Sequence, residues 1–258
     1  MHDAPHPDDS APSPNASERL AERTQELERR LRETERLSTI GELAARIAHE
    51  IRNPLAGIAG AVQVLARDFP PGSRKAATAR EILREVKRLD AFIRELLVFA
   101  RPVRPVRKPV PFETLLERAR SVLDEQPAFR HIAWTVDDRL AGRPLDVDPE
   151  LCASVLRLLV RNAAQSQARQ TEGRIGIVRE ARPDGGQRIC IEDDGPGFPE
   201  DPTERERLFE PLHAGRSRGG GLGLAIARKI VQGHGGCIEA RNRAGGGGQI
   251  CIELPPGR

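Results

Sequence analysis

Four segments of the sequence place reactive or ligand-binding residue types close together. The first runs from His49 through Glu50, Ile51, Arg52, Asn53 and Pro54 to Leu55. At about 100° per helical residue, His49 lies about 200° round from Ile51 and faces away from the apolar stripe. Asn53 shares its face. An exposed imidazole beside a carboxylate can change protonation state near neutrality. Glu50 accepting one ring N–H would leave the other nitrogen as a nucleophile. Pro54 cannot donate to the Glu50 carbonyl, which predicts a loosened helix at the histidine. A plain surface histidine beside a surface glutamate fits the same residues, and the segment alone leaves both readings open.

The second segment is Asp193-Asp194-Gly195-Pro196-Gly197, directly after the apolar run Ile189-Cys190-Ile191. A carboxylate at a strand end accepts from an exocyclic amine, and the glycines let backbone approach a flat ring, which suits adenine. An ordinary Asp-Gly and Pro-Gly turn is the competing reading. The third segment, Gly219-Gly220-Gly221-Leu222-Gly223-Leu224, opens a helical pattern and would present free N–H groups to an anion. Arg216 and Arg218 stand just before it and can neutralise phosphate oxygens. Its spacing is neither that of a Walker A loop nor that of a dinucleotide fingerprint. The glycine run at 245–248 is expected to be a hinge in a hairpin loop. The fourth is Asn162, whose amide oxygen is a hard ligand of the kind Mg²⁺ takes.

These residues need elements to hold them. Residues 1–16 are rich in Pro, Asp and Ser and are expected to be disordered. From Ser17 a heptad seam of Leu20, Thr24, Leu27, Leu31, Thr34, Ser38, Gly41, Ala45 and Ala48 predicts a coiled-coil lead helix over 17–37. With nothing before it large enough to hold a ligand pocket, input is expected through a partner or through dimerisation. A second stripe (Ala44, Ala48, Ile51, Leu55, Ile58, Val62, Leu65) ends at Asp68-Phe69-Pro70-Pro71-Gly72. A third stripe follows with Ile82, Val86, Leu89, Ile93, Leu96 and Ala100. Two such helices form an antiparallel hairpin, taken as 38–102. Since one hairpin cannot bury both stripes, a homodimeric four-helix bundle is expected.

Prolines at 102, 105, 109 and 111 with unpaired Arg and Lys predict an extended linker at 103–110. Residues 111–258 then interleave helices and strands without a regular βαβ repeat, which predicts an α/β sandwich with helices on one face of a sheet. Cys152, Cys190, Cys237 and Cys251 are far apart and form no Cys-x-x-Cys pair, so they are expected to be small buried hydrophobes rather than metal ligands or a disulfide.

Composition removes several classes. Lys+Arg 41 against Asp+Glu 38 is nearly balanced and aromatics are 3% with no Tyr, so no nucleic-acid partner is expected. The longest uncharged run near the apolar segments, 53–66, is 14 residues. A span needs about 20, so no membrane crossing is expected. The N-terminus has neither a basic start nor an apolar core, so no secretory signal is read there and a cytoplasmic protein is expected.

In this order and spacing, the segments resemble the sensor histidine kinases of two-component systems over roughly residues 38–256. His49 to Leu55 looks like the H box, Asn162 like the N box and Asp193-x-Gly195-x-Gly197 like the G1 box. Leu208-Phe209-Glu210-Pro211 is similar to the F box, and Gly219-x-Gly221-x-Gly223 to the G2 box. The stretch from Pro211 through Leu224 is particularly similar to the nitrogen-regulation class of these kinases.

The resemblance implies a multi-domain chain: an all-α dimerisation and phosphoacceptor hairpin, then an ATP-binding α/β sandwich of the Bergerat type. It implies that His49 accepts the γ-phosphoryl group of ATP, with Glu50 as its base and Asn53 orienting water in the reverse, phosphatase reaction. Asp193, with Gly195 and Gly197, would bind adenine, and Asn162 would hold Mg²⁺. Phe209, Gly219, Gly221, Gly223, Leu224, Arg216 and Arg218 would contact or cover the nucleotide. The partner implied is a response-regulator receiver domain, of the enhancer-binding activator type for the nitrogen-regulation class. Two departures stand out. Leu158 occupies the place where many members carry a second Asn. Residues 212–215 lack the usual Phe-x-Thr-Thr-Lys, so a lid cation would come from Arg216 or Arg218.

Overall fold

The computed structural model describes residues 50–213 and 221–257. The segments read above as disordered (1–16) and coiled coil (17–37) lie outside the described residues, as do His49, Arg216, Arg218 and Gly219.

Helix α1 is described over 50–67 and continues through Pro54 without interruption. A break at the Pro-Pro-Gly turn is followed by α2 (Arg74–Ala100), which Ser73 caps by accepting from the Ala76 N–H. Leu55 and Ile93 are buried against each other with Val86 and Leu97 beside them. Arg52 donates to Asp90 across the hairpin at 3.0 Å, and Arg94 joins the same carboxylate at 2.5 Å. Much of the stripes stays open within one chain: Ile51, Ile58, Leu65, Ile82 and Leu89 are each at least 40% exposed. No helix among the described residues is long and apolar enough to cross a membrane.

The sandwich follows. Its elements are β1 (Lys108–Val110), α3 (Phe112–Asp124), β2 (Ile132–Asp138), β3 (Leu145–Val147), α4 (Pro149–Ser166), β4 (Gly173–Ala181) and β5 (Gln187–Asp193). Then come α5 (Pro202–Arg207), α6 (Gly223–Gly233), β6 (Cys237–Asn242) and β7 (Gly248–Leu254). The main sheet has the order β2-β4-β5-β7-β6, with β2 and β4 parallel and the other neighbours antiparallel. Alternation sets its two faces. Ile175, Ile177, Ile189, Ile191, Ile250 and Ile252 point to the helices and form one core with Leu156, Leu159, Val160, Ile226 and Ile230.

Two expectations change. Residues 108–110 are not free linker but an edge strand, β1, paired antiparallel with β3; the edge position tolerates Pro109. Cys190 and Cys251 are not separate buried thiols. They are direct partners on β5 and β7, with Cα atoms 4.0 Å apart, and they form a disulfide. Cys237 is exposed, and only Cys152 is a buried free thiol.

A buried histidine ties the linker to the sandwich. His234 donates through Nδ1 to the Ile230 carbonyl (2.8 Å), while its Nε2 accepts from the Asp148 N–H (3.0 Å). Asp148 caps α4 by accepting from Glu150 and Leu151, and its other oxygen accepts from Val106 in the linker at 2.9 Å. Arg107 donates to the His234 carbonyl. The linker therefore runs pinned along the sandwich.

Candidate nucleotide site

Strand β5 ends by placing Asp193 on the helix side of the sheet, 5% exposed. One carboxylate oxygen, Oδ1, accepts from Ser166 Oγ and from the Gly195 N–H, both at 2.9 Å. Burial pushes the Asp193 carboxyl above its usual range, and the bonds from Gly195, Ser166 and the Gly248 N–H pull it back toward the ionised form. The surrounding glycines are steric necessities. A Cβ on Gly195 would sit 2.4 Å from Ser166 Oγ and 2.5 Å from Asp193 Oδ1. Gly247 has φ +88°, and its Cβ would lie 2.0 Å from the Asp193 carbonyl oxygen. A Cβ on Gly248 would lie 2.9 Å from Asp193 Oδ2. The 245–248 run is thus more than a hinge, because its last two residues wall the Asp193 pocket. Nothing in the bare sequence separated a run that packs from a run that bends.

The loop after Asp193 is fastened at both sides. Asn242 accepts from the Phe198 N–H at 2.7 Å and donates to the Phe198 carbonyl at 3.0 Å. Arg243 donates to Asp194 Oδ1 at 2.7 Å, and Gln170 donates to the Asp194 carbonyl at 2.9 Å. Gly197, with φ +76°, faces Asn242. Ser166, Asn242 and Arg243 were not singled out in the sequence. Ser166 had a usable signal, since it lies four residues after Asn162 and so on the same helix face.

Helix α4 presents Leu158, Asn162 and Ser166 in one row along that face. Ser166 holds Asp193. Asn162 is half-buried, and among the described residues its amide has no hydrogen-bond partner, so its oxygen is available to a ligand. Leu158 reaches the start of α6, its Cδ2 lying 3.7 Å from where a Gly223 Cβ would be, with Arg161 Nη2 at 3.9 Å. The N-terminus of α6 has no side-chain cap, so its first N–H groups are available to an anion. Mg²⁺ takes about six oxygen ligands. Asn162 fits as one neutral oxygen donor, and phosphate and water would have to supply the others.

The segment between α5 and α6 is closed at its base, where the Leu212 N–H donates to the Gly221 carbonyl at 3.1 Å. Phe209 is buried at that base with Arg228 over its ring. Leu224 is half-exposed in the first turn of α6. Along α4 the structure thus brings Asp193 and Gly195 to Ser166, and Gly223 to Leu158, with Asn162 between them. Glu50 and Asn53 are exposed on α1, and no described contact joins them to this pocket.

The end of α2 docks on the sandwich. Phe92, Leu96, Phe99 and Val103 pack against its core, and Lys229 donates to the Phe99 carbonyl. Arg161, next to Asn162, donates to Glu95 on α2 at 2.6 Å.

Comparison with known proteins follows the same division. Residues 147–258 match the family described as histidine kinase-, DNA gyrase B- and HSP90-like ATPase, and residues 39–104 match the His kinase A phosphoacceptor domain. The chain is 32% identical to the signal transduction histidine-protein kinase AtoS of Escherichia coli (strain K12), over 89% of this chain and 37% of that protein. Among solved structures it resembles the histidine kinase ThkA in complex with the response regulator TrrA, with TM-score 0.63 and 28% identity, over 90% of this chain and 66% of that one. It also resembles full-length ShkA in complex with AMPPNP, with TM-score 0.64 and 25% identity, over 83% of this chain and 45% of that one. Fold and site together define an ATPase-type sandwich carried on a phosphoacceptor hairpin. The chain belongs to the sensor histidine kinases of two-component systems. It spans about a third to a half of the length of these curated relatives.

Proposed function

We propose that this protein is an ATP-dependent histidine kinase that phosphorylates its own His49 and passes the phosphoryl group to an aspartate of a response regulator. The observation that carries the reading is the row on α4. Ser166 holds the carboxylate suited to adenine, Asn162 offers its oxygen midway, and Leu158 abuts the uncapped start of α6, which suits phosphates. Residues 158 and 166 are about 12 Å apart along the helix at about 1.5 Å per residue, so an extended ligand fits this row better than a compact one.

In this reading Asp193 takes the adenine amine, with Gly195 and Gly197 giving the ring room. Gly219, Gly221, Gly223 and Leu224 line the phosphates, Phe209 supports the base of the lid, and Arg216 and Arg218 supply its positive charge. Asn162 would hold Mg²⁺, which neutralises phosphate charge when bound. Phosphoryl transfer depends on in-line positioning and charge neutralisation more than on covalent machinery. Glu50 takes the proton from one imidazole nitrogen of His49, and the other attacks the γ-phosphorus as the bond to the leaving oxygen breaks. Asn53 orients the water that hydrolyses the regulator's phospho-aspartate. The open stripes of α1 and α2 support a homodimer through a four-helix bundle. The reading places the protein in the cytoplasm, with an enhancer-binding activator as its regulator.

The test is incubation with γ-labelled ATP and Mg²⁺, comparing wild type with His49→Gln. Acid-labile label on wild type and none on His49→Gln is the expected result. Label that survives in His49→Gln removes His49 as acceptor. Hydrolysis without any protein label would make the chain an ATPase, and neither label nor hydrolysis would make it a scaffold.

A further inference from the structure

The sheet's outward face, opposite the helices, carries three cysteines. Cys190 and Cys251 are partners across β5 and β7, and Cys237 begins β6 opposite Glu253. Glu239 opposes Cys251, so Cys237 and Cys251 stand on the same face in diagonal positions. Access divides them: Cys190 and Cys251 are 6% and 8% exposed, whereas Cys237 is open to solvent. Their neighbours are polar. Glu253 accepts from the Cys237 thiol at 3.4 Å and from Arg188 at 2.5 Å, and it pairs with the Arg182 guanidinium at 3.3 Å. Glu180, Glu239, Arg241 and Gln249 line the same shallow cleft.

We propose that this face is a thiol–disulfide exchange site, with Cys237 as the thiol that meets low-molecular-weight thiols and disulfides and Cys190–Cys251 as the pair it serves. Starting from three thiols, the Cys237 thiolate attacks a small disulfide RSSR, forming a Cys237–SR mixed disulfide and releasing RS⁻. The Cys251 thiolate then attacks the Cys237 sulfur and releases the second RS⁻. The Cys190 thiolate attacks the Cys251 sulfur, which leaves Cys190–Cys251 bonded and returns Cys237 as a thiolate. Each protein thiol consumed gives its proton to a departing RS⁻. The sum is RSSR plus two protein thiols giving two RSH and one protein disulfide, and reduction runs the sequence backwards.

Geometry sets which bond rests and which is transient. Direct partners such as Cys190 and Cys251 fall within disulfide reach, whereas diagonal neighbours sit about 7–8 Å apart at Cα, a separation that a disulfide bridges only if the backbone at the edge strand β6 moves. The Cys237–Cys251 bond is therefore the intermediate. Partial burial, and after it Glu253, hold the Cys237 thiol above its usual pKa, so exchange quickens as pH rises. Disulfides in thiol-rich compartments are transient and redox-responsive as a rule, which gives an exposed entry thiol its use. The inference does not depend on the kinase reading and is measured without ATP.

The full chain is reduced, freed of reductant and mixed with oxidised glutathione. Samples are quenched with acid, and their thiols are alkylated and mapped by mass spectrometry. Wild type should show a passing glutathione adduct on Cys237 and then the Cys190–Cys251 bond. Cys237→Ser and Cys237→Ala should form that bond about tenfold more slowly. Cys251→Ser should hold the adduct on Cys237. The Cys152 thiol, buried and pushed up to about 12, serves as the unreactive internal standard. Unchanged rates in both Cys237 variants would overturn the proposal. So would a wild-type protein whose Cys190 and Cys251 remain fully alkylated after equilibration.

Discussion

Replacing Asp193 by Asn separates recognition from folding at the site. The carboxylate receives three hydrogen bonds, from Ser166, from Gly195 and from the Gly248 N–H. An amide keeps the acceptor that meets Ser166 and Gly195 but turns an N–H₂ toward the third donor or toward the ligand. A hydrogen bond to a charged group contributes about 1.5–3 kcal/mol. Losing one to the adenine amine should weaken ATP binding by about 10- to 150-fold, at about 1.4 kcal/mol per factor of ten. The stability effect runs the other way. Burial raises this carboxyl's pKa in the folded state. The stabilising protonated form is present below the unfolded value and is lost as pH rises through the folded one. At neutral pH the free protein therefore buries an unfavourable charge, and Asn removes it. The lost Gly248 bond, about 1 kcal/mol, roughly offsets the gain. The melting temperature without nucleotide should therefore hold or rise slightly, while the shift that ATP produces at a fixed concentration shrinks. Calorimetric titration and paired thermal melts read both quantities, and GTP provides a control because guanine offers a carbonyl where adenine offers an amine. A variant that is folded yet binds ATP within about threefold of wild type would remove Asp193 from adenine recognition.

Gly247→Ala puts a methyl against the Asp193 carbonyl and forces a left-handed residue, at about 1–3 kcal/mol. The melting temperature should fall by several degrees and nucleotide affinity with it, whereas Gly245→Ala, with open space around it, should do neither. His234 is held neutral by burial, which pushes its pKa below the usual imidazole range, with Arg107, Asp148 and Asp146 as its charged neighbours. Its contribution is present above about pH 6.5 and is lost as pH falls through the lower folded value. The acid side of a stability–pH curve should therefore flatten in His234→Gln. Arg161 and Glu95 are both partly exposed, at 34% and 19%. Removing either by Arg161→Ala or Glu95→Gln should cost no more than about 1 kcal/mol of stability. The same changes should make a labelled α2–α4 distance broader in spin-label spectra, and an unchanged distance distribution would rule out this pair as the pin.

What the sequence disclosed depended on how local the signal was. Asp193 and its glycines could be read because a strand end, a carboxylate and two glycines lie within five residues. The strands β4, β5 and β7 announced themselves through alternating isoleucines. The open hairpin stripes followed from heptad spacing alone. β1 escaped because Pro109 argues against a strand, and only its edge position beside β3 permits one. The Cys190–Cys251 pair escaped because it depends on the register of strands 61 residues apart, which no local pattern encodes. Gly247 and Gly248 escaped because packing against Asp193 is a tertiary fact. The short helix α5 was there to be read: Asp201 caps it, accepting from the Thr203 N–H, with Pro202 in its first turn and Glu204 after it.

Helix α4 explains why the site and the hairpin cannot be independent. Its row of Leu158, Asn162 and Ser166 meets the start of α6, an available ligand position and the Asp193 carboxylate. Arg161 lies about 100° round from Asn162 and turns to α2. A helix fixed to the core by Leu156, Leu159 and Val160, all essentially without exposure, moves as one body. A ligand that engages the row therefore acts on Arg161 and Glu95 through helix position, with no chain of side chains between them. Leu158 strengthens this coupling. An Asn there would leave the α6 contact to water, whereas the leucine places an apolar surface against Gly223 and fastens α6 to α4. Lys229 on the same α6 holds the Phe99 carbonyl at the end of α2. The sandwich and the hairpin thus meet through two polar contacts, Arg161–Glu95 and Lys229–Phe99, beside the apolar packing of Phe92, Leu96 and Phe99 on the core. The polar pairs exchange for water at small cost, so the apolar side chains of the α2 end contribute most of what fastens it to the sandwich.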